Sequence, residues 1–333
     1  MALLEVTPEV KEKLEKKAYR LAGNHSAVQI CSWNKKAIEN EGSSHCYKQK
    51  FYGVNCHKCA QITPVVAWCN ERCLFCWRPM EFYKLVDIKP ADVDKPAEII
   101  DELIIQRKKL LIGYKGNDKI NKEFLEESFI PDHWAISLSG EPTMYPLLPE
   151  LIHSLRFDYN ARSIYLVTNA QEPEMFQKLI DTNNLPTQLY VSLNAPNKEV
   201  FNEINRSRFD DGWERLLKSF KIFSTMPTRR VIRFTLIKGL NDKPEYLEEY
   251  KKIFELAKPD FIEVKAFMYL GYSRKRLKQE NMPHHEEVRE FSKLLAEQIP
   301  YNIVDEVLSS HIVLLHANDS KYQPMTDFSK YKQ

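Results

Sequence analysis

Six short apolar runs, each followed by an amphipathic stretch, constrain the fold of this chain more than any other feature of its sequence. The runs are ITPVVAWC (62–69), HWAISLSGE (133–141), RSIYLVTN (162–169), TQLYVSLNA (187–195), RRVIRFTLIKG (229–239) and FIEVKAFMYL (261–270). Each is rich in Val, Ile, Tyr or Phe, the composition of strands buried on both faces. Between them, Pro96 stands ahead of Ile99, Ile100, Leu103, Ile104, Leu110 and Leu111 at three-to-four spacing, and further helical patterns cover 146–155, 173–181, 212–223, 245–257 and 284–299. Strand and helix in alternation define an α/β chain, and six repeats predict a partial (β/α)6 TIM-like barrel. YNIVDEV and HIVLLHA add two strands near the end. Ahead of the barrel the periodicity predicts a helix over 7–21, then an irregular stretch over 24–60 that holds four cysteines. The expected division is an N-terminal helix and cysteine-rich extension over 1–60, the barrel over 61–310, and a C-terminal strand and tail over 311–333.

Charge and hydropathy narrow the setting. Lys plus Arg total 48 against 46 Asp plus Glu, so no global excess announces nucleic acid or membrane, and any basic surface must be local. The first residues, MALLEVTPEVKEKLEKK, mix charge with apolar side chains and read as neither a secretory signal nor a membrane span, so a cytoplasmic protein is expected. In a reducing compartment, seven cysteines serve metal or catalysis better than disulfides, and an odd number cannot all pair within the chain.

Three of them, Cys69, Cys73 and Cys76, form a C-x3-C-x2-C run at the end of the first predicted strand, the rim where parallel strand-helix folds collect their chemistry. A structural zinc site is closed by four protein ligands, whereas three thiolates on a cubane cluster leave one iron open. With Phe75 as the aromatic residue before the last cysteine, the run resembles the signature of the radical S-adenosylmethionine superfamily. The resemblance implies a 4Fe-4S cluster whose open iron binds the methionine part of the cofactor and, once reduced, splits its sulfonium. It also implies that Gly140 and Glu141 of SLSGEP contact the methionine ammonium. Ser139 stands there in place of a glycine, which leaves that backbone less free to take positive φ. Asn169, Ser192 and Asn194 at later strand ends are further candidates to bind the cofactor.

The remaining cysteines precede this motif. Residues 28–80, with Cys46, Tyr47, Lys48, Lys50, Phe51, Tyr52 and Gly53 in CYKQKFYG, resemble the 4-demethylwyosine synthase family. That resemblance implies a second 4Fe-4S cluster on Cys31, Cys46 and Cys59. It implies conversion of N1-methylguanosine beside the anticodon of tRNA(Phe) to the tricyclic base with pyruvate as two-carbon donor, a carbon–carbon lyase reaction. Lys48 would hold pyruvate as a Schiff base, with Lys50 as the alternative. The chain shows no flavin-binding stretch, so a separate ferredoxin or flavodoxin is the expected electron donor, and a monomer is expected. Two features depart from the family pattern: the gap from Cys31 to Cys46 is longer, at Ser43 and Ser44, and Cys56 is an extra thiol. CHKC also has zinc-knuckle spacing, so a zinc site on Cys31, Cys46, Cys56 and Cys59 stays open, as do a radical enzyme with an auxiliary relay cluster and a zinc-stabilised RNA-binding module. Arg229, Arg230 and SRKRLK (273–278) are candidate phosphate contacts, and Trp77, Phe51, Tyr52 and Tyr272 are candidates to stack on an extruded base.

Overall fold

Side chains alternate across a strand, and here the alternation divides one sheet into two unlike faces. The fold comes from a computed structural model that describes residues 4–39 and 46–331, so Ser43 and Ser44 lie outside the described residues. Its strands are β1 (Tyr19–Ala22), β2 (Ser26–Gln29), β3 (Cys59–Thr63), β4 (His133–Ile136), β5 (Ser163–Thr168), β6 (Gln188–Leu193), β7 (Arg229–Leu236), β8 (Phe261–Ala266), β9 (Tyr301–Val307) and β10 (Ile312–Ala317). All ten belong to one sheet, in chain order except that β10 inserts between β8 and β9. Strands β3 to β8 run parallel. The hairpin β1–β2 extends one edge antiparallel, and β10 and β9 extend the other.

The helices are α1 (Pro8–Glu15), α2 (Ser32–Glu39), α3 (Tyr47–Tyr52), α4 (Pro96–Ile112), α5 (Lys122–Ser128), α6 (Leu148–Phe157), α7 (Pro173–Asp181), α8 (Lys198–Ile204), α9 (Gly212–Phe223), α10 (Leu247–Ala257) and α11 (His285–Ala296). Proline opens α4 and α7 at the first helical position, where its missing N–H costs nothing. Ile164, Leu166, Leu189, Val191, Ile232, Phe234, Ile262 and Val264 face the helices and make the main core. Their neighbours Tyr165, Tyr190, Val231 and Phe261 turn the other way and pack against Tyr47, Phe51 and Tyr52 of α3.

Three expectations change. The helix expected over 7–21 stops at Glu15, because Leu14 is its last buried residue and Ala18 at φ +60° reverses the chain into β1. The strand expected to end at Cys69 ends at Thr63, since Pro64 has no N–H for the ladder. Val65, Val66 and Trp68 are buried as loop residues instead. The stretch 24–60 is not irregular: β2, α2 and α3 occupy it, and of the positions where the sequence suggested boundaries, 60 falls inside β3 and 310 in the turn between β9 and β10 of the same sheet.

His133, at the start of β4, is fully buried with Nδ1 2.6 Å from the Ser163 hydroxyl. Burial lowers its pKa from 6.5 to about 4 against the opposing pull of Asp132. The unfolded chain therefore takes a proton that the folded one refuses. Stability is full above pH 6.5 and falls as the pH drops toward 4, by ~3 kcal/mol in all. His133→Gln should flatten this limb of the stability profile, as read by urea midpoints between those two values.

Candidate active site

The chain leaves β3 at Pro64 and carries the three thiols in a loop seated on the end of β4. Thr63 Oγ1 donates to the Ser139 carbonyl at 2.6 Å, and Ser139 Oγ donates to the Val66 carbonyl at 2.9 Å. A serine here therefore bonds the loop, which explains its standing where the pattern has glycine. Gly140 takes φ +71°, and a Cβ there would lie 1.8 Å from the Val65 oxygen and 2.7 Å from that of Trp68. Only glycine permits this contact, and Glu141 N–H completes it by donating to the Trp68 carbonyl at 2.8 Å. Leu74 N–H donates to the Ile204 carbonyl at 2.8 Å, and Arg276 donates through Nε to the Leu74 carbonyl at 3.1 Å and through Nη2 to that of Cys76. The basic loop 273–278 thus spends Arg276 on holding the cysteine loop.

Within this frame the thiols meet acids and amides. Cys73 donates to Glu71 Oε2 at 3.0 Å, and Asn205 Nδ2 donates to the same oxygen at 3.1 Å. Burial raises the Glu71 carboxyl to about 8 and holds the Cys69 and Cys73 thiols well above their ordinary value, so cluster assembly must displace protons. Asn169 Nδ2 lies 3.9 Å from Cys69 Sγ and donates to Asn70 Oδ1 at 2.7 Å. Glu141 is buried and already accepts from Thr143 N–H, Thr143 Oγ1, Thr168 Oγ1 and Asn169 N–H at 2.6–3.0 Å. Asn194, by contrast, is 2% exposed, and neither polar atom of its amide has a partner among the described residues. Phe75 packs partly buried against the core.

Below the rim, the inward side chains Gln61, Val167, Ser192, Arg233, Thr235 and Lys265 are all half-buried, while their outward neighbours are sealed. They line a hollow between the parallel strands. Arg233 Nε donates to Glu263 Oε2 at 2.7 Å, Tyr52 donates to Glu263 Oε1 at 2.7 Å, and Arg233 also donates to the Tyr47 hydroxyl. These bonds set α3 under the hollow. Lys48 Nζ then stands 4.7 Å from the ring centres of both Tyr165 and Tyr190, with its pKa lowered chiefly by burial and next by Arg233. Lys265 is pulled down to about 8 by the same causes.

The N-terminal thiols surround this helix. Cys59 begins β3, with burial pushing its thiol up to about 12 and Cys31 and Cys46 both close enough to act on it electrostatically. Cys46 N–H donates to Cys56 Sγ at 3.3 Å, and the hydrogen bond between the two thiols favours ionisation of Cys46. Cys56 is thus gathered with the other three. Among the described residues no three His, Cys, Asp or Glu side chains are close enough to hold one metal ion; a cubane takes its thiolates at separate corners, wider apart than the ligands of a single ion.

Several sequence candidates lie elsewhere. Lys50 is on the surface, 2.6 Å from Asp305, and does not enter the hollow. Phe51 and Tyr52 are buried under the sheet and present no face to a base. Arg229 and Arg230 sit at the opening end of β7, opposite the thiol loop, where Arg229 bonds Gln188 and the Gln323 and Pro324 carbonyls and Arg230 pairs with Asp260 at 3.1 Å. Arg233, Glu263 and Lys265 are not among the residues the sequence singles out, although Arg229, Arg233 and Thr235 share one face of RRVIRFTL and make it largely polar.

Three thiols on a C-x3-C-x2-C loop, seated beyond a parallel strand beside Gly140 and Glu141, are the arrangement of a radical S-adenosylmethionine protein. The Radical SAM superfamily matches residues 63–251, and the domain described as wyosine base formation matches 256–317. The S-adenosyl-L-methionine-dependent tRNA 4-demethylwyosine synthase of Pyrococcus horikoshii is 46% identical over 312 residues, 93% of this chain and 89% of that protein. The enzyme of the same name from Methanocaldococcus jannaschii is 36% identical over 96% of this chain and 99% of its own length. A solved structure of TYW1 with a lysine–pyruvate adduct bound superposes with a TM-score of 0.84 at 33% identity, covering 96% of this chain and 99% of that one. The chain belongs to the tRNA 4-demethylwyosine synthase family.

Gly140→Ala should displace the thiol loop, lowering stability by about 1–3 kcal/mol and reducing the iron the chain takes up. Urea titration of the metal-free chain and iron analysis after anaerobic reconstitution read the two effects separately.

Proposed function

We propose that this chain builds 4-demethylwyosine from N1-methylguanosine in tRNA(Phe), with pyruvate as the two-carbon donor. The observation that carries the reading is Lys48, half-buried with Nζ 4.7 Å from the ring centres of Tyr165 and Tyr190, on the inward face of the sheet that also presents the partly exposed Ser192, Thr235 and Lys265. A lowered pKa supplies the free amine that attacks a keto carbonyl, and loss of water then leaves the imine. Lys265 adds a cation to the same face, suited to a carboxylate, whereas Arg233 is already paired with Glu263. We assign Cys69, Cys73 and Cys76 to the radical cluster and Cys31, Cys46 and Cys59 to a second one, with Cys56 outside the ligand set. The unpartnered amide of Asn194 fits a polar cofactor, and with Ser192, Asn169, Gly140 and Glu141 it would hold S-adenosylmethionine. Reduced cluster and cofactor together supply the hydrogen-abstracting radical when bound. The chain's own part is to fix the amine, exclude water and align the two carbon centres.

We read strands β3 to β8 as a partial (β/α)6 barrel, preceded by a cluster-bearing module over 1–60 and followed by a strand and tail over 311–333. A separate ferredoxin or flavodoxin supplies electrons to a cytoplasmic monomer; among the described residues no helix is long and apolar enough to cross a membrane. The tRNA surface begins at Trp77, which follows Cys76 and is 46% exposed, with the Arg78 guanidinium 3.7 Å above its ring. Leu270 and Tyr272, with Lys275 4.8 Å over the Tyr272 ring, continue the aromatic and basic rim. Such a rim suits a base drawn out of a single-stranded loop.

Anaerobic incubation of reconstituted protein with tRNA carrying N1-methylguanosine, S-adenosylmethionine and pyruvate should yield the tricyclic nucleoside by mass spectrometry; its absence with both clusters loaded would refute the reading. Lys48→Arg keeps the charge but offers no free amine, so cofactor cleavage should persist while tricycle formation falls to the detection limit. Borohydride should trap labelled pyruvate on the peptide containing Lys48. Trp77→Ala should weaken tRNA binding by about 1–3 kcal/mol, the usual worth of one stacked base, while tRNA-free cofactor cleavage is kept.

A further inference from the structure

Arg107 of α4 is an arginine in an unusual position: only 1% of it is exposed, and no carboxylate pairs with it among the described residues. Its Nε donates to the Ser128 carbonyl at 3.0 Å and its Nη2 to the His57 carbonyl at 3.1 Å. Its Nη1 is buried without a partner among the described residues. A buried donor left unmade is costly, and a buried cation without a counter-charge more so.

The backbone it grips belongs to the thiols: the His57 carbonyl that accepts from Nη2 lies in the turn between Cys56 and Cys59, and Asn34, which bonds the same carbonyl, reaches Cys31. The surrounding backbone is fixed. Asn34 Nδ2 donates to the carbonyls of Cys56, His57 and Cys59 at 2.7, 3.1 and 3.1 Å, and Asn34 N–H donates to Cys31 Sγ at 3.4 Å. Arg107 is therefore clamped between α5 and the Cys56–Cys59 turn and cannot swing to solvent. As a staple between these elements it would need only the two bonds it makes to carbonyls. The third donor and the charge have no use in a staple, but both have one beside sulfur that is thiolate rather than thiol.

We infer that Arg107 is a positioning residue of the second cluster, donating Nη1–H to sulfur on its Cys31–Cys59 side and setting its reduction potential. The inference rests on the reading that Cys31, Cys46 and Cys59 hold that cluster. Reduction adds one negative charge to the cluster, and a fixed cation in a poorly screened site stabilises the reduced form, as an N–H···S bond also does. Arg107 thus raises the potential of the second cluster and leaves that of the distant radical cluster unchanged.

The test uses the full chain with Cys69, Cys73 and Cys76 replaced by Ala, so that only the second cluster loads. Arg107→Gln keeps a donor for the Ser128 carbonyl but removes the charge, and Arg107→Lys retains the charge. In a redox titration followed by electron paramagnetic resonance, the midpoint potential should fall in Arg107→Gln and return toward the parent in Arg107→Lys. With arginine selectively labelled with nitrogen-15, the reduced parent cluster should show a nitrogen-15 coupling. An Arg107→Gln protein with full iron and an unshifted potential overturns the proposal. So does a parent without the arginine coupling, which decides the matter even if the Gln variant fails to fold. A parent that takes up no iron instead refutes the second cluster itself, a result distinct from either.

Discussion

The ion pair of half-buried Arg233 with buried Glu263 is the interaction on which the placement of the site depends. The two residues are register partners on adjacent parallel strands, joined at 2.7 Å, with Tyr52 and Tyr47 of α3 bonded to opposite ends of the pair. Two charges inside a sheet are expensive to desolvate, and removing one partner of such a pair typically costs about 3–5 kcal/mol because the other is left alone. The pair is therefore weak as a source of stability and strong as a locating device. It specifies one seat for a helix of six residues that is too short to hold its place by its own propensity. Lys48 and Cys46 take their positions from that seat.

The site then extends along the strands instead of gathering at one end. Cys59 is the first residue of β3, whereas the thiols of 69–76 follow its last. Between them the inward residues change from aromatic at Tyr165 and Tyr190 to polar at Ser192, Thr235 and Lys265, so packing gives way to an accessible hollow within two or three residues. The outward residues that carry the helices, from Trp134 and Ile164 to Phe234 and Val264, are large and apolar. One sheet thus separates stability from chemistry by the direction of its side chains.

This division explains what the sequence disclosed. Local signals were legible: the strand at 162–169, the helices at 173–181 and 212–223, the three-thiol run, and Gly140, whose positive φ a strand-ending glycine before an acid suggests. Signals that depend on direction or on distant partners were harder. Arg229 and Arg230 looked like rim residues because they are basic and border a strand, yet a parallel strand opens at the end opposite its chemistry. Lys50 and Lys48 are equivalent in the string CYKQKFYG, and only the winding of α3 sends one to Asp305 and the other between two tyrosines. The partners of Glu263 lie more than two hundred residues away in α3 and thirty residues away in β7, distances that periodicity does not span.

Strand β3 has one more consequence. It is a rigid spacer whose first residue belongs to one sulfur site and whose last leads into the other, at about 3.3 Å per residue. Because the side-chain period of a strand is two, its length and its parity are both fixed. A single residue inserted within Cys59–Thr63 would not merely lengthen the path; it would turn Cys59 out of the hollow and into the layer of helices, where Ala60 and Ile62 now pack. In this enzyme family an insertion of one residue in that strand is therefore more damaging than an insertion of two.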